Sequence, residues 1–213
     1  MKTTRTLSDI VGQEFVIRRL MDLARNPHES CWLLESERAG NGKTSSALAL
    51  AYDLGCTDAM SGLFFYPATE LSLDTCRELL KYTLHHRPLQ GRGWKVLVID
   101  ELERMPSTQV ANYLKSALDE YSLPPKTIVV ATSNGAGGLE PALLERFQIL
   151  AYGSGPAFQA ACLDHLATLW AAETTEDMPP AWRYWGSTRG EFSMRLAMRA
   201  LKAALREREM VAA

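Results

Sequence analysis

Apolar residues along this chain follow two rhythms. Short unbroken runs, Cys31–Leu34, Gly62–Tyr66, Val96–Ile99 and Thr127–Thr132, leave little room for a polar face and fit strands of a parallel sheet covered on both sides. Gln148 to Tyr152 reads as one strand more. Between the runs the apolar positions recur at helical spacing: Val16, Ile17, Leu20, Leu23 and Ala24, then Ala47, Leu48, Leu50, Ala51 and Leu54. Ser72 caps a helix carrying Cys76, Leu79, Leu80 and Leu84, and Ser107 opens one with Val110, Leu114, Ala117, Leu118 and Tyr121 inward. Pro141 to Phe147 is a short helix. Strands alternating with helices predict an α/β fold over residues 1–153. After Gly153-Ser154-Gly155-Pro156 the pattern is helical only, with Phe158, Cys162, Leu166, Leu169 and Trp170 on one helix and Met194, Met198, Leu201 and Leu205 on a last helix from about Arg189. Residues 154–213 are therefore expected to form a small all-helical domain.

At 213 residues the chain is long enough for a full core, and 46% hydrophobic with 23% charged residues describe an ordinary soluble globular protein. The polar start, Met1 to Thr6, precedes no apolar segment, and no run approaches membrane-spanning length, so the expected location is the cytoplasm, without a membrane. Four scattered cysteines lack metal-site spacing and read as reduced thiols. A net charge of -2 does not announce a nucleic-acid protein, although a local basic face stays open.

Candidate chemistry sits at the ends of the predicted strands. Between the first strand and its helix lies Glu37-Arg38-Ala39-Gly40-Asn41-Gly42-Lys43-Thr44. Strand, glycine loop and helix together make a phosphate cradle: Gly40 and Gly42 permit the backbone turn, Lys43 carries charge to the outer phosphates, and the Thr44 hydroxyl suits a magnesium shell. Glu37 stands where the P-loop pattern has its first glycine, and taken alone the same residues also describe a plain helix start. The strand Val96–Ile99 ends in Asp100-Glu101, a pair able to orient Mg²⁺ and to polarise an attacking water, or, taken alone, a solvated acidic loop. Asn134 ends the next strand and would sit beside that pair if the two strands are neighbours. Arg195, Arg199, Lys202 and Arg206 form a basic stripe on the last helix, which on spacing alone is a solvated face.

Taken together, these residues resemble the clamp-loader branch of the AAA+ ATPases, similar to replication factor C small subunits and their phage equivalents. The matching segments are Leu7–Glu14 with Ile10-Val11-Gly12-Gln13-Glu14, Gly40–Thr44, Val98–Glu101, Gln109–Leu118, Asn134, Glu140-Pro141, Glu145-Arg146-Phe147 and Gly190-Glu191-Phe192 with Arg195. The resemblance implies a P-loop NTPase core of five parallel strands with the P-loop strand central, flanked by helices, and a helical lid closing over ATP and Mg²⁺. It implies that Val11 and Gly12 lie against the adenine, and that Gly40, Asn41, Gly42, Lys43, Thr44 and Ser45 hold the phosphates. Thr44 and Asp100 would hold the metal, Glu101 would be the catalytic base, and Asn134 the sensor of the γ-phosphate. Arg146 would be an arginine finger for a neighbouring subunit, and Arg195 a second sensor in cis. Implied partners are other AAA+ subunits in a ring, DNA and a sliding clamp. Glu145 and Phe147 depart from the Ser-Arg-Cys of clamp loaders, and the family's third, collar domain finds no match within the 213 residues. Two other functions stay open: a regulator that positions another DNA-processing protein, and a subunit that binds nucleotide without hydrolysing it.

Overall fold

The computed structural model describes residues 6–119, 122–188 and 191–212. Its first part alternates helix and strand: α1 (Glu14–Arg25), β1 (Ser30–Glu35), α2 (Lys43–Asp53), β2 (Leu63–Pro67), α3 (Leu73–Lys81), β3 (Lys95–Asp100), α4 (Thr108–Ala117), β4 (Thr127–Ser133), α5 (Pro141–Leu144) and β5 (Gln148–Ala151). The second part holds α6 (Pro156–Glu173), the two-residue strands β6 (Ser187–Thr188) and β7 (Glu191–Phe192), and α7 (Met194–Ala212). Ser72 Oγ accepts from the Thr75 amide at 3.0 Å and Ser107 Oγ from the Val110 amide at 3.3 Å, so both serines stop a helix's first N–H groups from being left unpaired. Tyr121, Arg189 and Gly190 lie outside the described residues. The last helix starts at Met194, later than its apolar spacing indicated, because β6 and β7 pair antiparallel just before it.

Five parallel strands form one sheet in the order β2-β3-β4-β1-β5. Central position goes to β4 rather than to β1, the strand before the glycine loop. The chain runs outward from β1 to β2 and returns through β3, and β4 is inserted between β3 and β1. The polar end of β4, Thr132 and Ser133, thereby separates the glycine loop from the acidic pair. Open sheets bind ligands at the C-terminal strand ends where the order reverses, and that reversal lies here.

All seven residues of β4 are buried, as are the first five of β1 and of β3. One sheet face packs Trp32, Leu34, Val96, Val98 and Val130 against α1 and α2. The other packs Leu33, Leu97, Ile99 and Val129 against α3, α4 and Phe147. A separate cluster, Phe158, Cys162, Leu166, Trp170, Phe192 and Leu201, fills the space between α6 and α7. The sheet with its flanking helices and the α6–α7 pair thus each rest on apolar contacts of their own.

Candidate functional site

The C-terminal ends of β1, β3 and β4 open onto a cleft of about 480 Å³, roofed by α6 and the start of α7. The loop after β1 turns through Gly40 and Gly42, whose φ angles of 85° and 96° are left-handed. Such angles cost a residue with a Cβ roughly 1–2 kcal/mol. Gly42 precedes the first residue of α2, Lys43, so the helix N-terminus faces the cleft with its unpaired N–H groups.

Lys43 is buried, and its ammonium donates to the carbonyls of Arg38 at 2.8 Å and Ser36 at 3.4 Å. Burial pushes its pKa below the ordinary lysine value; Glu103, Asp100 and Glu101 act in the opposite direction. Thr44 Oγ1 donates to Asp100 Oδ1 at 2.7 Å, and Thr132 Oγ1 donates to the same oxygen at 2.6 Å. One carboxylate therefore ties the loop after β1 to the ends of β3 and β4. Oxygen donors of this type, a hydroxyl and a carboxylate beside a phosphate cradle, fit Mg²⁺.

Glu101 follows in a left-handed backbone conformation, φ 57°, and its amide donates to Thr132 Oγ1 at 3.0 Å. Its carboxylate pairs with Arg104 at 2.9 Å and lies 3.5 Å from Asn134 Nδ2. The structure thus brings Lys43, Thr44, Ser45, Asp100, Glu101 and Asn134 to one cleft wall, together with Gly40, Asn41, Gly42, Val11 and Arg195. Asn41 is buried, and its amide donates to Ser36 Oγ at 2.9 Å and to the Gly153 carbonyl at 3.3 Å.

Three residues are placed differently from the rest. Gly12 does not itself line the cleft but packs against Phe158, which does: an added Cβ would stand 2.8 Å from the Phe158 ring. Glu37 is exposed, away from the wall, and its backbone is not left-handed, so its position makes no demand for glycine. Arg146 is half-buried outside its own cleft, with Nε donating to the Lys115 carbonyl at 3.1 Å and a guanidinium nitrogen 3.6 Å from Asp119. Lys115 in turn grips Glu140 through both carboxylate oxygens, at 2.7 and 2.8 Å. Arg199, Lys202 and Arg206 are exposed and away from the cleft.

Sequence reasoning passed over Glu103 and His165. Glu103 Oε1 accepts from both the amide and the side chain of Asn134, each at 3.1 Å. His165 lines the cleft on the same face of α6 as Phe158 and Leu169, at helical spacings of seven and four, and burial lowers its pKa against the opposing charge of Asp9. That spacing was the available signal, but it is shared with ordinary core positions.

Residues 38–154 match the family model described as ATPase family associated with various cellular activities (AAA). The chain is 34% identical over 122 residues to the replication factor C small subunit of Methanococcus maripaludis, covering 55% of this chain and 37% of that one. It is 30% identical over 145 residues to replication factor C subunit 3 of Saccharomyces cerevisiae, covering 66% and 41%. The chain thus spans about two fifths of the length of these relatives. Among solved structures, the RuvB Holliday junction branch migration motor of Thermotoga maritima superposes with a TM-score of 0.71 at 22% identity, over 98% of this chain and 67% of that one. A DNA polymerase III gamma subunit-related protein from the same organism gives 0.60 at 19% identity, over 87% and 57%. With the glycine loop, the acidic strand end and the five-stranded order all inside a family match spanning more than half its length, the chain belongs to the AAA family of ATPases.

Proposed function

We propose that this chain hydrolyses ATP, with Mg²⁺, as one subunit of an oligomeric DNA-replication assembly of the clamp-loader type. The observation that carries the reading is the Thr44–Asp100–Thr132 junction, which joins the phosphate cradle to the acidic strand end at 2.7 and 2.6 Å. The similarity to replication factor C small subunits supports the assembly.

The backbone from Gly40 to Thr44, with Ser45 behind it, cradles the phosphates, and Lys43 neutralises the outer ones. Thr44 and Asp100 are the residues that would hold magnesium, which when bound withdraws charge from the β- and γ-phosphate oxygens. Val11, Phe158 and Leu169 form the apolar walls that would take the adenine. Glu101 accepts a proton from water as the water oxygen bonds to the γ-phosphorus. The bond from that phosphorus to the bridging oxygen breaks, and ADP leaves with the electron pair. Asn134 orients the water, and Arg195 reaches the phosphates from the lid.

Arg146 faces away from its own cleft and is assigned to the nucleotide of a neighbouring subunit, so turnover requires assembly. DNA and a sliding clamp are the partners this reading assigns. The test is ATP turnover with and without DNA, for the wild type, Glu101→Gln and Arg146→Ala. Each variant alone is expected to lose turnover by roughly 1000-fold or more. Mixed, the two are expected to regain part of it, because an Arg146→Ala subunit keeps its glutamate and a Glu101→Gln neighbour lends its arginine. Stimulated turnover that survives both substitutions defeats the proposal.

A further inference from the structure

Glu103, beside the cleft, is an acid to which the proposed reaction gives no part. It lies two residues beyond Glu101, in a 3-10 turn covering Leu102–Arg104. Its Oε1 accepts from the Asn134 backbone amide at 3.1 Å and from Asn134 Nδ2 at 3.1 Å, so a single carboxylate oxygen pins the residue by main chain and side chain together. Its other oxygen, Oε2, is buried without a hydrogen-bond partner among the described residues. A buried carboxylate oxygen without a partner is unfavourable by about 1–3 kcal/mol, so its presence calls for a reason other than stability. The two hydrogen bonds supply the reason. A side-chain amide is free to turn about its last bond, and here that rotation is stopped with Nδ2 held between Glu103 Oε1 and Glu101 Oε1, the latter at 3.5 Å.

We propose that Glu103 is a positioning residue: it fixes the orientation of the Asn134 amide relative to Glu101, so that both groups address the same attacking water. The inference rests on the hydrolytic reading above. In this role Glu103 does not touch the reacting atoms and acts on the water through Asn134; its charge separately favours the protonated form of Lys43. Asn134 spans the gap because β3 and β4 are neighbours, and residues after their ends meet across the sheet.

Two measurements test it. In the first, ATP turnover is compared for the wild type, Glu103→Gln and Glu103→Ala. A misplaced catalytic group can cost roughly 100-fold in rate, and Glu103→Ala is expected to lose about that much in kcat with KM for ATP little changed. Glu103→Gln keeps an amide oxygen that accepts both Asn134 N–H groups, and it is expected to retain most of kcat. Equal losses in the two variants, a loss confined to KM, or no loss in Glu103→Ala overturns the proposal. In the second, the Asn134 side-chain NH₂ signal is followed in ¹⁵N-labelled protein, assigned by its disappearance in Asn134→Asp. It is expected to shift and to exchange faster with solvent in Glu103→Ala but not in Glu103→Gln; an unmoved signal overturns the proposal. This second readout needs no turnover. An assembled, DNA-bound wild type that binds ATP without cutting it therefore defeats the hydrolytic reading, while the amide signal still decides whether Glu103 holds Asn134.

Discussion

Ser193, the residue before α7, lies directly on Gly40 of the phosphate loop: a Cβ added to the glycine would collide with the serine hydroxyl and stand 3.3 Å from its Cβ. Arg195 Cβ would be 3.4 Å from the same point. Gly40 therefore answers two demands, a left-handed turn of 85° and the close approach of the lid. Gly40→Ala is expected to weaken nucleotide binding about tenfold or more, since left-handed strain alone is worth roughly 1–2 kcal/mol. Adding Ser193→Ala is expected to restore only the part due to the collision. Titration with a fluorescent ATP analogue checks both variants, and unchanged affinity in Gly40→Ala would show that the lid does not seat on the loop.

Gln13 ties three segments together. Its Nε2 donates to the Gly153 carbonyl at 2.9 Å and to the Asn41 carbonyl at 3.4 Å, and its Oε1 accepts from the Gly153 amide at 3.0 Å. The Gln13 side chain is buried, so Gln13→Ala removes these three hydrogen bonds and leaves a gap between the segments, and it is expected to destabilise by about 1 kcal/mol or more. Gln13→Glu keeps the acceptor for the Gly153 N–H but turns a carboxylate oxygen towards two carbonyls, and it is expected to destabilise at least as much. Urea denaturation measures both. A stability loss for Gln13→Glu smaller than for Gln13→Ala contradicts the assigned hydrogen bonds.

Most of the sheet is readable from local pattern because its strands are covered on both faces, and burial on both faces leaves unbroken apolar runs such as Val96–Ile99. Asp100 and Asn134 stand out because polar residues end such runs, and Lys43 and Thr44 because they follow the glycines of the loop after the first run. Strand order was less legible. That β4 lies between β1 and β3 depends on pairings such as Leu33 with Ala131, nearly a hundred residues apart, which no window of sequence contains. Gly12 packs against Phe158, which comes from α6, and only the folded chain shows that contact. Glu103 escaped for the same reason, its partner being 31 residues away on the next strand. Residues whose role comes from the lid were the hardest to read, because helical spacing describes a core face and a ligand face alike.

All four cysteines are buried thiols, and burial pushes Cys31 and Cys162 up to about 12 and Cys56 and Cys76 up to about 11, from an ordinary value of 9.0. Raised folded-state values mean that the fold binds these protons more tightly than the unfolded chain does. The stabilisation they supply is complete below pH 9 and is lost as pH rises through 11 to 12. The urea midpoint is accordingly expected to fall between pH 8 and pH 10.5, and less steeply in a variant with Cys31→Ala and Cys162→Ala. At pH 8 the native thiols should resist a disulfide-exchange reagent and react fully once unfolded. Rapid labelling of the native protein contradicts the burial.

Glu101 holds a left-handed backbone, φ 57° and ψ 55°, that residues other than glycine rarely adopt. Its amide bond to Thr132 Oγ1, at 3.0 Å, fixes the conformation, and the ion pair with Arg104 is too exposed to contribute more than about 1 kcal/mol. Strain of this kind collects at functional sites, where the surrounding structure enforces it. The side chain proposed as catalytic base is thus aimed at a cost of roughly 1–2 kcal/mol in stability. Glycine at this position removes the strain, while alanine retains it and removes only the carboxylate. Glu101→Gly is therefore expected to be more stable than Glu101→Ala by about 1 kcal/mol, the reverse of the 0.5–1 kcal/mol penalty glycine carries within a helix or strand. Both variants should lack ATP turnover, which separates the stability effect from the chemistry. Urea denaturation of the pair decides the matter, and an alanine variant as stable as the glycine variant would mean that the backbone at Glu101 is relaxed.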